Sequence, residues 1–552
     1  MKQNNFRYLA LFLLLLALPA LACGFFDSDE PPSAPDNAAV VNVLANSSLQ
    51  PWLSTVVAEF NDSEQETESG RPIYIQLTGA ESGQAVLVLS QDSQEADIWI
   101  PESAVWVDVL VDQGNEAYAQ NCTSIAESPL VIAMWRPMAE SLGWPGLPLG
   151  WLDIGSLAAD PSAWAYYSGG EYGDSLRMSH AHLGLAGSGT STLLAIVQAA
   201  QSKTDAVTPE DISQPIVQAS VGAFESAVSS FNSNSENLGQ TMAERGPSYL
   251  GAGVMYESTI VKYGNGDLVA IYPLEGTFMA THPACVNQSA DAETIEAAGL
   301  FRDYLLSETA QEQALAAGLR PVNPAVAIGA PIDEAHGVDP SQPEIIFNEP
   351  QADAVYAIQD LWQAARKPVN LVMLLDTSGS MRGVKIDTMK EAAEEFVQNM
   401  GDEDTISLVE FYTQIDLLVE QASIGSDRQE VIEAIRNLEP GGDTSLFDAI
   451  GAGAQLIQAN PSPDAVNAIV ILTDGMDTSS SLYRFDNNLI AAATAGDTTV
   501  FTIAYGDDAD KGLLSELAAR GNGNFYLGDE ASIAAIYEEM SAAFGGTLGV
   551  GR

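Results

Sequence analysis

Cations are scarce in this sequence. Its 552 residues include 21 Lys and Arg against 75 Asp and Glu, a formal charge of −54, and only four His. Such a chain repels phosphate backbones and anionic headgroups, and no basic run offsets the imbalance, so nucleic acid is excluded as a partner. Cysteine is nearly absent: Cys23, Cys122 and Cys285 are all there is, with no Cys/His spacing of the zinc type. The four His, at 180, 182, 282 and 336, make no metal signature, and the alternation of His180 and His182 reads as a strand with surface positions. A nucleophilic Ser/His/Asp elbow is missing. "GSGTS" (187–191) lacks the Lys of a phosphate-binding loop. Beyond residue 22 no apolar run is long enough to span a bilayer. These absences together argue against an enzyme and for a binding protein.

What is present begins with an address. Lys2 and Arg7 precede the apolar run "YLALFLLLLALPALA" (8–22), and Cys23 follows it. A basic start, a short apolar core and small residues before the cut describe a secretory signal, and the run falls short of the about 20 residues a membrane span needs. A Cys placed directly after a small residue resembles the lipobox of bacterial lipoproteins. That resemblance implies removal of residues 1–22, lipidation of Cys23, and anchoring to the outer face of the cytoplasmic membrane. Residues 23–38, rich in Pro, Ser and Asp, read as a tether. In an exported chain the two remaining thiols, Cys122 and Cys285, are expected to pair.

The length exceeds the roughly 250–300 residues at which single cores stop growing, so at least two domains are expected. Residues 38–48 read as a strand and loop, 49–61 as a helix with Trp52, Val56, Val57 and Phe60 on one face, 72–79 as a strand, 82–91 as a helix and 96–103 as a strand. This βαβαβ opening predicts a parallel α/β sheet. The Pro- and acid-rich stretch 331–350 reads as a linker, and 351–367 as a helix docking on the last domain. Strands then recur at 369–376, 404–412, 466–473, 498–505 and 523–527, alternating with helices, which predicts a second, doubly wound α/β domain. The expected partition is 39–330, 331–366 and 367–552.

In an open parallel sheet, ligands sit beyond the carboxyl ends of the strands. "NLVMLLDTSGSMRG" (370–383) ends an apolar strand on Asp376, with Ser378 and Ser380 on the loop that follows. "GGDTSLFDAI" (441–450) places Thr444 just before a helix, and "IVILTDGMD" (469–477) ends another strand on Asp474. Together Asp376, Ser378, Ser380, Thr444 and Asp474 suit Mg²⁺, a hard cation that favours oxygen ligands and retains water; Mn²⁺ or Ca²⁺ are the other candidates. Because hydroxyls outnumber carboxylates, such an ion stays electron-poor and attracts another molecule's carboxylate. The three stretches resemble the metal-ion-dependent adhesion site of von Willebrand factor type A domains: "DTSGS" (376–380), "GGDTS" (441–445) and "TDG" (473–475). The resemblance implies a Rossmann-like fold and a metal-mediated grip on an acidic side chain of a protein partner. Asp443, on one of these loops, is expected to be solvated.

The first large domain resembles bacterial type 2 periplasmic solute-binding proteins, nearest the molybdate/sulfate group. The residues that carry this are 41–60, 77–113 and 301–322. The resemblance implies two lobes closing on a small solute, an oxyanion among the candidates, with hinges near 126–132 and 268–274 and an ABC-type permease as a further partner. By position it assigns Ser48 and Ser82 to the first lobe's ligand site; Ser188, Gly189 and Thr190, at a helix start, and Tyr256 are the candidates from the second lobe. "GSGTS" at a helix start would offer backbone N–H groups to an anion. Glu81 and Glu257 flank these loops; facing inward, they would favour a cation or a polyol. The reading reached is a lipid-anchored extracytoplasmic protein that captures a solute and binds a partner through a metal. The alternative is a surface adhesion or assembly lipoprotein whose first domain is a scaffold.

Overall fold

The fold is described from a computed structural model covering residues 34–550 apart from Asp92 and Pro463. The signal run, Cys23 and most of the tether lie outside the described residues. Three sheets organise the rest, and each follows from where apolar runs fall.

The first lobe is built on β1 (Ala39–Ala45), β2 (Ile73–Gly79), β3 (Ile98–Ile100) and β4 (Cys122–Ser124). The chain then forms the second lobe with β5 (Ser128–Trp135), β6 (Met178–Ser179), β7 (Ala252–Tyr256), β8 (Leu268–Ile271) and β9 (Met279–Ala280), and returns to the first as β10 (Pro283–Val286). The sheet orders are β2-β1-β3-β10-β4 and β6-β7-β5-β8, with β9 beside β5. A disulfide joins Cys122 to Cys285, which face each other across the antiparallel β4–β10 pair. The apolar stripe of helix Gln50–Asp62 packs Trp52, Leu53, Val56 and Phe60 on β1, as its spacing predicts.

The first crossing between lobes lies at 125–127, overlapping the start of the expected hinge at 126–132. The second crossing falls outside the expected 268–274: β8 is an edge strand of the second lobe's own sheet, paired with β5, and the return runs through Thr281 and His282, where the Ile125 N–H donates to the His282 carbonyl at 3.2 Å. A third strand of chain crosses at Arg320, whose backbone pairs reciprocally with Glu127. Its guanidinium makes a buried fork to Glu257 at 2.8 and 2.6 Å. Glu257 is therefore committed to this crossing and not to a pocket.

The stretch 331–350 is no free linker. Ile332, Val338 and Phe347 are buried on the second lobe, and the Phe347 N–H donates to the Thr277 carbonyl at 2.8 Å. Helix Ala352–Ala365 follows, with Ala354, Val355, Ile358 and Trp362 fully buried.

The last domain holds β11 (Val369–Asp376), β12 (Thr405–Phe411), β13 (Ile415–Ser423), β14 (Val466–Thr473), β15 (Thr499–Tyr505) and β16 (Asn522–Gly528). Their order is β13-β12-β11-β14-β15-β16. All pairs are parallel except β12–β13, an antiparallel edge that the alternation of strands and helices did not reveal. β11 is buried along its whole length because helices cover both faces: Leu371, Met373 and Leu375 enter one core, Val372 and Leu374 the other.

Candidate functional site

In the last domain, β11 and β14 are neighbours, so their carboxyl ends bring Asp376 and Asp474 together with Thr473 between them. The Thr473 hydroxyl donates to Asp376 Oδ2 at 2.5 Å, and the Ser378 N–H to Asp376 Oδ1 at 2.8 Å. The Ser380 hydroxyl donates to Asp474 Oδ1 at 2.6 Å and lies 3.0 Å from the Ser378 hydroxyl. The third loop is tied in by its backbone: Gly441 N–H to Thr377 O at 2.7 Å, and Gly379 N–H to Gly442 O at 3.0 Å. Thr444, buried, sits against Gly475, where an added Cβ would lie 3.6 Å from its hydroxyl. The three loops thus meet, and the five oxygen-bearing side chains picked from sequence share one locus. Asp443 points to solvent, as expected.

The electrostatics favour a cation. Asp376 and Asp474 are fully buried. Burial, aided by the charge of Asp474, pushes the Asp376 carboxyl up to about 6 against the hydrogen bonds it receives from Thr473 and Ser378. One residue that sequence reading passed over answers this field. Lys385, in the first turn of helix Val384–Asn399, places its ammonium 2.6 Å from Asp474 Oδ2. Its signal was faint: a lysine one turn beyond the serine loop. Among the described residues no three His, Cys, Asp or Glu form a metal-binding group. That follows from the donor set, which holds two carboxylates and three hydroxyls. Two buried carboxylates, converging hydroxyls and a cationic group already drawn to them fit a hard divalent ion.

The N-terminal domain behaves differently. The Ser48 hydroxyl donates at 2.5 Å to Oδ1 of Asn46, the residue that caps its turn, and the Ser82 hydroxyl accepts the Glu102 N–H at 3.0 Å. Thr190 donates to the Leu183 carbonyl at 2.8 Å. Gly189 is needed for packing, since a Cβ there would come 2.1 Å from the Ala181 carbonyl oxygen. The anion seat at the start of helix Gly187–Gln201 is filled from within the chain: Glu102, from the loop after β3, accepts the Gly187 N–H at 2.8 Å and the Ser188 N–H at 3.3 Å. The Ser188 hydroxyl, also buried, finds no partner among the described residues. Tyr256 faces Glu102; burial and the Glu102 and Glu81 charges hold its phenol well above the ordinary range.

Glu81 does turn inward, bonded to Asn46 Nδ2 at 3.1 Å and to the Ser47 hydroxyl. Burial, then the charge of Glu102, raises it to about 8. Burial raises Glu102 to about 6, opposed by its bonds to Ser82, Gly187 and Ser188. The predicted ligand residues therefore surround a pair of internal carboxylates, an arrangement hostile to an oxyanion. The cavity that Trp106, Thr190, Tyr256 and Phe278 help to line holds about 10 Å³, room for about one water and too little for a solute. Glu102 was legible only as an acid at the end of a strand, in "IWIPES" (98–103).

His180 and His182 are also placed otherwise than expected. Both are fully buried. His180 Nε2 lies 2.8 Å from Glu225, and His182 lies between Gly184 N–H and the Gly546 carbonyl. β6 spans only two residues, so the alternation carried no outward face.

Comparison with known proteins agrees with this two-part geometry. Residues 41–320 match the family described as bacterial extracellular solute-binding protein, and residues 370–539 match the von Willebrand factor type A domain. An uncharacterized protein of Synechocystis sp. is 29% identical over 161 residues, 29% of this chain and 37% of its own length. The inter-alpha-trypsin inhibitor heavy chain H4 of Sus scrofa is 26% identical over 175 residues, 30% of this chain and 19% of its own. This chain thus spans little more than a third of the first of these relatives and about a fifth of the second. Among solved structures, the sulfate-binding protein SubI of Mycobacterium tuberculosis covers 52% of this chain and 88% of its own, at 19% identity and TM-score 0.38. A von Willebrand factor type A protein of Catenulispora acidiphila covers 32% and 42%, at 22% identity and TM-score 0.30.

Proposed function

This chain belongs to the bacterial extracellular solute-binding protein family and carries a von Willebrand factor type A domain at its C-terminal end, and from that premise we propose that it is an extracytoplasmic, lipid-anchored binding protein that grips an acidic side chain of a protein partner through a divalent cation. Asp376, Ser378, Ser380, Thr444 and Asp474 would hold that cation, Mg²⁺ in the first instance. Once bound, it offers an electrophilic position to an incoming carboxylate. The reading is supported by one observation above all: Ser378, Ser380 and Asp474, from loops 94 residues apart, form a continuous chain of contacts at 3.0 and 2.6 Å beside the buried Asp376. The chain's own residues exclude water from the two carboxylates, orient the hydroxyls and fix the loops through Gly441 and Gly379. Calorimetric titration of the full chain with Mg²⁺ tests the reading. Saturable binding that disappears in Asp376→Ala is expected; binding undiminished in that variant would remove these residues as ligands.

For the N-terminal domain two functions compete: capture of a small solute for delivery to an ABC-type permease, or service as a scaffold for the partner-binding domain. The Glu102 carboxylate seated on the second lobe's helix, and the cavity of about 10 Å³ beside it, favour the scaffold in this closed conformation. Under the capture reading, the inward-facing carboxylates Glu81 and Glu102 select a cation or a polyol. A calorimetric screen with amines, polyols and oxyanions separates the two: saturable binding of any probe supports capture, and indifference to all of them supports the scaffold.

A further inference from the structure

We propose that Glu102 is the chain's own ligand for the interlobe seat, and that helix Ala352–Ala365 together with the tail 546–550 latches the two lobes around it. The seat thereby rejects anionic solutes, and opening of the lobes requires undocking of the elements that flank the last domain. This deepens the scaffold reading of the N-terminal domain and is independent of the metal site.

The seat is shaped for the side chain that fills it. An added Cβ at Gly187 would fall 2.1 Å from Glu102 Oε2 and 2.6 Å from Trp106 Nε1, so only glycine lets the carboxylate reach the helix start. A few residues away the lobes touch through backbone: the Gly83 N–H donates to the Leu185 carbonyl at 2.8 Å, and a Cβ on Gly83 would meet Gly184 O at 2.1 Å. A carboxylate accepting two N–H groups at a helix N-terminus is the arrangement an exogenous anion would adopt. Here lobe 1 supplies it, so a free anion must displace a covalently tethered competitor at high effective concentration.

Three further contacts fasten the closed lobes from outside. Adjacent residues of one helix enter different cores: Val355 packs with Val105 and Trp106 of the first lobe, while Ala354, Ile358 and Trp362 pack in the second. Moving the lobes apart must expose one set or the other, because a helix cannot stretch. Just before it, Glu349 Oε2 accepts the Val105 N–H at 3.2 Å while Phe347 stays bonded to the second lobe, so this segment bridges the lobes as well. The tail follows helix Ile533–Ala543 out of the last domain. The Gly546 carbonyl lies 2.7 Å from His182 Nε2, the Val550 N–H donates to the Gly184 carbonyl at 3.0 Å, and the Val550 side chain enters the first lobe's core. Burial holds His182 neutral, at about 3, so one tautomer serves both bonds: Nε2–H to Gly546 O and Nδ1 from Gly184 N–H. A Cβ at Gly549 would lie 1.7 Å from Gly184 O, which fixes the tail as a close backbone contact.

The test uses the full chain and two readouts. Isothermal calorimetry with acetate, formate and sulfate is run on wild type and Glu102→Ala. No saturable heat in wild type and saturable acetate or formate binding in the variant are expected, the free carboxylate replacing the lost one. Saturable anion binding of equal strength in both, or none in either, overturns the internal-ligand assignment. Amide hydrogen exchange at Gly83, Gly187 and Ser188 is then compared in wild type, Val355→Ala and Glu102→Gln, a milder change that keeps the side-chain shape. Exchange about tenfold faster at these amides in Val355→Ala, with β11 amides unchanged, is expected for a latch whose opening is local. Unchanged exchange at the interlobe amides would overturn the latch, and equal acceleration in β11 would mean that the variant loosens the whole molecule instead.

Discussion

Two loops in this protein have the same grammar and opposite fates. "IWIPES" (98–103) and "VMLLDTSGS" (372–380) each carry an acid at or just past the end of a buried strand, with a serine one or two residues beyond it. In the last domain the acid meets hydroxyls from two other loops, and Ser380 stays exposed at the rim. In the N-terminal domain the acid meets the N–H groups of a helix from the opposite lobe and is spent there. The lesson is about what remains unsatisfied. Two buried carboxylates that share hydroxyls, one backbone N–H and a single part-exposed lysine retain an appetite for a cation, whereas a carboxylate seated on two N–H groups of a helix start already fills an anion's place.

This contrast can be broken from either side. The largest effect is expected from removing the disulfide. Cys122 and Cys285 are 163 residues apart, and by loop-closure entropy the bond contributes up to about 5 kcal/mol. Cys122→Ser with Cys285→Ser should lower the denaturant midpoint of the N-terminal domain and leave Mg²⁺ affinity unchanged. A matched fall in Mg²⁺ affinity would mean that the two sites are not separable. Next comes Asp376→Ala, which removes one charge of a buried set; such losses cost about 3–5 kcal/mol, so Mg²⁺ affinity should drop on the order of 100-fold or more by calorimetry.

A graded effect follows from the paired carboxylates Glu81 and Glu102, which face each other together with Tyr256 and Asn46. Their folded pKa values, about 8 and about 6, are raised above the ordinary carboxylate value. Groups raised on folding bind more protons in the native state, so their contribution is fully present below about pH 4.5 and is lost as pH rises through 6 and toward 8. The N-terminal transition should therefore weaken over that window in wild type and lose most of this slope in Glu81→Gln. A slope untouched by the substitution would refute the assignment. The smallest effect expected is that of Lys385→Met. Removing a part-exposed ammonium from Asp474 should tighten Mg²⁺ by several-fold, on the order of 1 kcal/mol. Weaker binding would show that the lysine organises the site instead of competing for it.

Much of the architecture could be read before any coordinates. Strands such as β11 announce themselves because burial on both faces demands an unbroken apolar run, and helix Leu446–Ala459 lies where its spacing put it. β13 escaped because "IDLLVEQAS" lies at a sheet edge, where half its positions are wet and neither period dominates. The second hinge was misplaced because after β8 the chain turns at Pro273–Gly276 and adds β9 to the same lobe before crossing at His282, and the turn signal does not reveal which sheet the next strand joins.

Sequence by itself determined the two α/β units, their order, and the three loops whose oxygens gather near Asp376. These are local facts: hydrophobic period sets each element, and parallel winding delivers loop ends to one edge of a sheet. Only the tertiary structure decided that Lys385 answers Asp474, that Glu102 reaches across to Gly187, and that a supposed linker and the tail clasp both lobes. Those pairings join residues between about 85 and 370 positions apart, and no periodicity encodes a distance across space. Whether a polar group is free or already satisfied depends on what the fold brings against it.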